Sequence, residues 1–539
     1  VSRLLSRVYE AQNRFDMSEP LLTEVQSLSQ KMLINSASFL SELELADYVI
    51  SSQAISNDLL ITLTERNVNG SELGILPSLA FDQSLFYKGF VLNAAERLNL
   101  PSLIRPESAE LAGKLKSYRR QLAAEYAKPL DERNNVAELE AKANSAEKEL
   151  ARSAKGYADA IRQVKWKDVK AVLKPSEAAI EFVHFKVNFS KERDSTLYAA
   201  LLFIAGDKQP QFIPLFEEKS LDSILQSKGE RRLEYVNDLY SFNSRGAAVI
   251  EDKKRSLAEL IFKPLENELT GIKTIYYSPS GLLHRINLDA IPLSETETLA
   301  DRYNLVEMNS TRQLVIPTQI KNANNDAVLF GGIQFEKDTT VQNNEPIFAS
   351  RSRGELSFNS IDSTLRGGSW NYLAGTEREV NAIEKLMITA GVKVNLKKGY
   401  EATEESFKNI GADNAPSPKI LHIATHGYFF PDPKSTAKRT GLNGEQESVF
   451  KISDHPMLRS GLIMAGGNAA WQGKQTLEGK EDGILTAYEI SQMNLSNTEL
   501  VVLSACETGL GEIQGNEGVY GLQRAFKIAG AKFLIMSLW

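Results

Sequence analysis

One cysteine, Cys506, is all the thiol that 539 residues contain. That excludes an internal disulfide framework and any zinc site built from several cysteines. Histidine is nearly as scarce, with His184, His284, His422, His426 and His455 the five present. So little imidazole gives no basis for a His-based metal centre, and neither metal nor organic cofactor is expected. Positive charge is not in excess either: Lys and Arg number 62 against 69 Asp and Glu, a net charge of −7. The basic footprint that neutralises nucleic-acid phosphates is therefore missing overall, although a local patch is compatible with this balance. No run of about 18 apolar residues occurs, so neither a membrane span nor direct membrane contact is expected. Residues 1–15 lack the apolar core of about 7 to 15 residues of a signal peptide, and the expected location is cytoplasmic. Gly-x-Ser-x-Gly and His-Glu-x-x-His are absent.

What remains is ordinary globular composition, 42% hydrophobic and 24% charged. At roughly 150 residues per domain the length suits three to four domains. Residues 1–128 read as an α-helical region broken at Asn67–Gly70, Pro77, Pro101 and Pro106. Residues 129–170 read as a long helix and linker, with Val136, Leu139, Ala143, Ala146, Leu150 and Tyr157 on one seam and Glu138 and Lys142 as an i,i+4 pair. This helix is expected to fold back on the one around residues 107 to 128; a partner-binding lever is the other reading. Residues 171–270 form a small α+β segment with strands at Ala179–Phe185, Leu197–Ile204 and Gln211–Leu215, then a helix from Arg255 to Leu269 broken at Pro264.

From residue 271 to 539, strands alternate with helices. Strands are expected at Lys273–Ser278, Ala327–Gly331, Val392–Leu396, Lys419–Thr425, Leu462–Met464, Leu500–Ala505 and Lys532–Leu538. Near-continuous apolar strands joined by helices imply a mostly parallel sheet flanked by helices, an α/β fold. Thr376 to Glu379 has the form of a capping box opening a helix over Val380–Ala390, with Gly391 as its stop. Thr403 opens a further helix and Gly515–Ala529 supplies another. The loop Pro431–Asp454, carrying Lys434, Lys438 and Arg439, is longer than ordinary connections and reads as a functional insertion. The start at Val1 and the apolar finish from Phe533 to Trp539 read as the ends of a piece of a longer protein, with the C-terminal part of the last domain missing.

Two strand ends carry the chemistry. One is Leu421–Gly427, ending in Thr425, His426 and Gly427, and the other is Val501–Gly509, ending in Ala505, Cys506 and Glu507. Ligands of open parallel sheets bind beyond the carboxyl ends of strands. If the two strands are neighbours, His426 and Cys506 share one rim. A nearby imidazole lowers the thiol pKa, makes the thiolate nucleophile and returns a proton to a leaving amine. Gly427 has no Cβ, so its N–H can approach a substrate carbonyl and, with the N–H of Cys506, form an oxyanion hole. His422 lies four residues before His426, roughly 13 Å away along a strand at about 3.3 Å per residue, and reads as structural. His184, His284 and His455 read as structural too. The stretch Gly467–Lys474 fails the phosphate-loop spacing, and Gly509, Gly511 and Gly515 miss the dinucleotide spacing by one residue.

These stretches resemble the CHAT domain, a branch of the caspase, gingipain and separase clan of cysteine peptidases. The resemblance rests on Ser278–Pro292 (SPSGLLHRINLDAIP), Gly375–Val380 (GTEREV), Ala424–Gly427 (ATHG), Asp482–Ile490 (DGILTAYEI), Leu503–Gly509 (LSACETG), Glu517–Phe526 (EGVYGLQRAF) and Ser537–Trp539 (SLW), in the family's order. Residues 80–270 also resemble the segments that precede CHAT domains after tetratricopeptide repeats. The resemblance implies a caspase-like core, a His426–Cys506 dyad and Gly427 as oxyanion donor. It implies that Ser504 lines the pocket for the residue before the cleaved bond; a hydroxyl bonded to backbone is the alternative. The Asp-rich segment that follows Ser-Leu-Trp in the family is absent from this sequence.

The expectation is a bacterial cysteine endopeptidase acting on a protein substrate in antiviral defence or regulated proteolysis. Its N-terminal helices would receive an activating protein or ribonucleoprotein, and Lys438 and Arg439 would be a processing site. The competing readings are a catalytically silent scaffold that binds proteins, and a protease held inactive until its partner arrives.

Overall fold

The computed structural model describes residues 1–37, 39–99, 108–126, 133–153, 163–190, 193–225, 239–240, 256–316, 325–336, 369–412, 415–430, 455–472, 481–505, 511–513 and 518–537. Helices α1 (Ser2–Ala11), α2 (Phe15–Ala37), α3 (Glu42–Val68), α4 (Leu76–Tyr87), α5 (Phe90–Asn99), α6 (Ala109–Tyr126), α7 (Val136–Ser153) and α8 (Trp166–Val172) come first. Strands β1 (Glu177–Ser190), β2 (Arg193–Ile204) and β3 (Gln211–Glu217), helix α9 (Glu218–Leu225), and strands β4 (Thr274–Ser278) and β5 (Asn304–Glu307) follow. The remainder alternates: β6 (Asp326–Ile333), α10 (Ala374–Thr389), β7 (Lys393–Gly399), α11 (Glu404–Lys408), β8 (Ile420–Ala424), β9 (Gly427–Phe429), β10 (Ser460–Ile463), α12 (Asn468–Trp471), β11 (Ile484–Thr486), α13 (Ala487–Ile490), β12 (Leu500–Ser504), β13 (Glu512–Ile513), β14 (Val519–Tyr520), α14 (Leu522–Ile528) and β15 (Phe533–Met536). The chain divides into two compact units that interleave in sequence, residues 1–98, 147–318 and 513–518 in one, and residues 99–146, 319–512 and 519–539 in the other.

The first unit is built on a five-stranded sheet in the order β3-β2-β1-β4-β5. β1 pairs antiparallel with β2 and parallel with β4. Both faces are covered, so alternate residues of β1 enter two cores. Ala179, Val183 and Phe185 pack with Leu63, Phe81 and Val169 of the helices. Ala178, Ile180 and Phe182 pack with Leu221, Leu260 and Leu265. Burial on both faces is why the paired stretches Ala178–Phe185 and Leu197–Ile204 are mostly apolar. The segment expected as a helix from Arg255 is a five-residue π-turn at Ala258–Phe262 followed by turns through Pro264. At the helical end, Ser41 and Glu44 cap α3 reciprocally. Arg66, 3% exposed, ties α3 to Glu10 and Glu19 and lies over the Phe15 ring.

The second unit begins with α6 and the start of α7, where the Tyr126 hydroxyl donates to Glu140, a pairing that fits the expected hairpin. Its main sheet, β15-β12-β8-β6-β7, is parallel throughout. α10 covers one face, with Val380 against Ala327, Leu329 and Ala424. A Cβ on Gly331 would sit 2.6 Å from Val380 Cγ1, so that glycine sets the helix–strand approach. The expected capping box is not formed. The cap moves three residues earlier, to Leu373, which makes no side-chain bond, and α10 starts at Ala374. Thr376 therefore lies inside the first turn, where its hydroxyl donates to Leu373 O and accepts from Gly332 N. Gly391 does stop the helix, at φ +76°. The last helix, α14, starts only at Leu522, after Gly518 at φ +78°. A small antiparallel sheet, β11-β10-β9, lies in the same unit.

Candidate active site

β8 and β12 are parallel neighbours, with Leu421 opposite Val501 and Ala424 opposite Ser504. His426 and Cys506 each follow by two residues the last paired position of their strands. Cys506, Lys438 and Arg439 lie outside the described residues, as do the loop Pro431–Asp454 and Gly509.

The chain does not run on as one strand from His422 to His426. β8 ends at Ala424, and the Thr425 hydroxyl donates to Ile463 O in the small sheet. His426 is thus carried by the entry to β9. Its Nε2 lies 2.8 Å from the carbonyl oxygen of Asn371. A carbonyl only accepts, so Nε2 carries the proton and Nδ1 keeps its lone pair. The half-buried ring packs against Phe335 (5.0 Å between centroids) and Trp370 (4.8 Å). Burial lowers the His426 pKa, with the Asn371 carbonyl acting in the opposite sense. The imidazole is therefore neutral near pH 7, the state in which it can take a proton.

Gly427 starts β9, opposite Leu462 of β10. Ile463 N donates to His426 O, which makes His426 and Ile463 the bonded pair of this antiparallel ladder. The next pair, Gly427 and Leu462, is then a non-bonded one, and the Gly427 N–H points away from β10. β9 is the edge strand of its sheet, so that amide faces out of the ladder.

The Ser504 hydroxyl is not bonded to backbone, the alternative considered for it from the sequence, but donates to Glu379 Oε2 at 3.0 Å. Glu379 Oε1 is 3.0 Å from Nε2 of the buried His422. Burial works to raise the Glu379 pKa, but the His422 contact and the Ser504 hydrogen bond outweigh it and hold the carboxyl below its usual range. His422 thus belongs to a polar bridge from β8 through α10 to β12.

Trp370 and Asn371 are themselves held from α12. The Asn468 side chain, 1% exposed, accepts from Trp370 N (2.7 Å) and donates to Trp370 O (3.1 Å) and Glu336 Oε1 (2.8 Å). Sequence reasoning missed Asn371, Trp370, Asn468 and Glu379. Glu379 lay in the expected capping box and Asn468 in the stretch Gly467–Lys474, but neither was read for this role.

Other polar clusters serve differently. Glu404, Glu481 and Glu489 bring carboxylate oxygens within 4.8 Å of one another and are the described residues best placed to hold a cation. The Lys408 ammonium already meets all three, at 3.1, 2.7 and 3.0 Å. In the first unit, His184 Nδ1 lies 2.6 Å from Ser280 Oγ, which resembles a nucleophile–base pair. Ser280 is only 2% exposed, and the nearby Leu282 N–H is spent on Tyr198 Oη. Burial, then Lys88 and Lys186, lowers His184 to about 4. This pair is structural. His455 caps a 3-10 turn by accepting from Met457 N. In the loop Ala465–Asn468, the amides of Gly466 and Asn468 donate to Gln334 O and Phe335 O, so they are not arranged for a phosphate. Among the described residues no helix is long and apolar enough to cross a membrane.

Among protein families, the CHAT domain matches residues 251–539. No curated protein matches the chain.

Proposed function

Since the chain belongs to the CHAT-domain family, a caspase-like family related to peptidases, we propose that it is a cysteine endopeptidase using His426 and Cys506. The observation that carries this reading is the 2.8 Å contact of His426 Nε2 with Asn371 O, which leaves Nδ1 with its lone pair as a base, two residues beyond the strand that pairs with β12. Nδ1 takes the Cys506 proton, and the thiolate attacks the peptide carbonyl carbon. The oxygen gains the negative charge, for which the N–H groups of Gly427 and Cys506 are the donors. The imidazolium then protonates the leaving amine as the C–N bond breaks, leaving a thioester. Water, deprotonated by His426, releases the acid and restores the thiol. Glu379 and Ser504 brace the end of β12 in this scheme.

The substrate is a protein, and the helical region receives an activating protein or ribonucleoprotein partner. Bacterial antiviral defence or another regulated proteolysis is the setting this suits. Cleavage after Lys438 or Arg439 would process the loop that follows β9. Ser504 lines the pocket for the residue before the cut, and no metal or organic cofactor takes part.

The test is cleavage of fluorogenic peptides carrying Arg, Lys or Asp before the reporter, with and without lysate as a source of activator. Cys506→Ala runs beside the parent protein. Cleavage that vanishes in Cys506→Ala supports the reading. Silence throughout, with Cys506 also inert to an iodoacetamide probe, would favour a scaffold that binds proteins without cutting them.

A further inference from the structure

The Trp370–Asn371 dipeptide has no secondary structure of its own, yet its carbonyl decides which nitrogen of His426 carries the proton. Something must hold it. Trp370 offers one backbone donor and one acceptor, and Asn468 meets both with a single side-chain amide, as a neighbouring strand would. The same amide reaches Glu336 Oε1, and the Asn468 backbone N donates to Phe335 O at 3.0 Å. Asn468 therefore joins the exit of β6 to the Trp370 segment. Phe335 and Trp370, the two residues so joined, are the ones whose rings flank His426. Trp471, on the same helical turn as Asn468, packs edge-on against Trp370 at 4.9 Å. Gly467 is required just before it, since a Cβ there would lie 2.6 Å from Gly483 O.

We infer that Asn468 is a positioning residue for His426, fixing the Asn371 carbonyl and through it the Nε2–H tautomer of the base. This rests on the peptidase reading for its meaning, but its test does not. No side chain other than an uncharged amide both accepts from Trp370 N and donates to Trp370 O and Glu336 in this geometry. Aspartate would keep the first bond, lose both donations and set a carboxylate against that of Glu336. Alanine would lose all three.

The experiment is nitrogen NMR of protein labelled at its histidines, with His426 assigned by its loss in His426→Gln. The parent protein is expected to show His426 as the Nε2–H tautomer. In Asn468→Ala and Asn468→Asp the Nδ1–H form should appear, while the signals of His184 and His284 stay unchanged. Where peptidase activity is found, kcat/KM should fall at least about tenfold, chiefly in kcat, as misplacement of a catalytic group costs rate more than binding. If the Asn468 variants do not fold, Glu336→Ala decides, because Glu336 is exposed and its loss frees one anchor of the amide. It should shift part of the His426 population the same way. An unchanged tautomer in folded Asn468 variants, or in Glu336→Ala when those fail to fold, overturns the inference. Absence of any Cys506-dependent cleavage would instead remove the peptidase reading and leave the tautomer result to judge Asn468.

Discussion

The Ser504 hydroxyl is bonded to Glu379 at 3.0 Å, and the same carboxylate lies 3.0 Å from His422. One helical side chain thus ties the carboxyl end of β12 to the middle of the neighbouring parallel strand β8. Because Ser504 stands two residues before Cys506, loosening this tie is expected to act on the thiol's placement. Glu379→Ala should cost about 1–3 kcal/mol, since it leaves Ser504 and a buried imidazole without their partner. Glu379→Gln should cost less, because the amide still accepts. The carboxyl titrates below its ordinary value, so its stabilisation is present above about pH 4.5 and is lost as pH falls through the lower folded value. Urea midpoints of parent protein and Glu379→Gln from pH 3 to 6 should therefore converge toward the acid end. A constant gap across that range would count against an ionised Glu379.

In the first unit, Lys88 and Glu181 form an ion pair at 2.9 Å with side-chain exposures of 4% and 0%. Every remaining valence is met: Ser84, Ser310 and Thr311 donate to Glu181, and the Lys88 ammonium donates to Ser278 O and Oγ. Burial lowers the Lys88 pKa, and Glu181 opposes it. Removing one partner leaves a buried charge uncompensated. Glu181→Ala is expected to destabilise by about 3–5 kcal/mol, whereas the double change Lys88→Met with Glu181→Leu should cost less than the single one. Thermal unfolding of the three variants checks this. A double variant worse than Glu181→Ala would show that the pair is net stabilising beyond its own desolvation.

The parallel sheet was legible because its central strands β6 and β8 are largely buried and read as short apolar runs, whereas the edge strands β7 and β15 are partly exposed. The adjacency of β8 and β12 was only a condition of the reading, since two apolar runs do not say which strands pair; the register of the sheet supplies it. What decides the state of His426 was not legible, because Asn371 acts through a backbone carbonyl, a group every residue has. Asn468 sits in a glycine-rich turn that suggested only a failed phosphate loop. Glu379 was seen but misassigned, since the Thr376–Glu379 pattern satisfies a capping rule locally while Gly332 draws Thr376 into the helix. The Lys88–Glu181 pair joins residues distant in sequence, and nothing local marks either as buried.

If His426 is the base, the acid limb of kcat/KM should have its midpoint below the ordinary histidine value of 6.5. Burial sets that direction, and Trp370 is a large part of what buries the ring. Trp370→Ala is expected to admit water and move the limb toward 6.5. The same group affects folding: between 6.5 and its lower folded value the unfolded chain takes the proton first, so stability falls as pH falls. Histidine NMR titration of both proteins reads the shift without activity. A Trp370→Ala limb moving to lower pH would contradict burial as the cause.

The Lys408 cluster provides a last check, because it couples charge to the strand that follows it. Glu404, 1% exposed, accepts from Gly483 N at 2.9 Å and so anchors the turn into β11. Burial, then Glu489 and Asp482, pushes Glu404 well above its usual range. Burial, then Glu489, raises Asp482 to about 6. An acid raised on folding contributes stability that is present below its unfolded value and is lost as pH rises through the folded one. For Asp482 that window runs from 3.8 to about 6. Asp482→Asn keeps the oxygen that accepts from Ile484 N and removes the charge. Its urea midpoint should match the parent near pH 4 and exceed it above pH 6. Lys408→Met should do the opposite, costing about 3–5 kcal/mol near neutrality and less in acid, because the carboxylates lose their shared cation. Parallel pH profiles for the parent and Asp482→Asn would mean that Lys408 neutralises the cluster fully, and that Asp482 bears an ordinary charge.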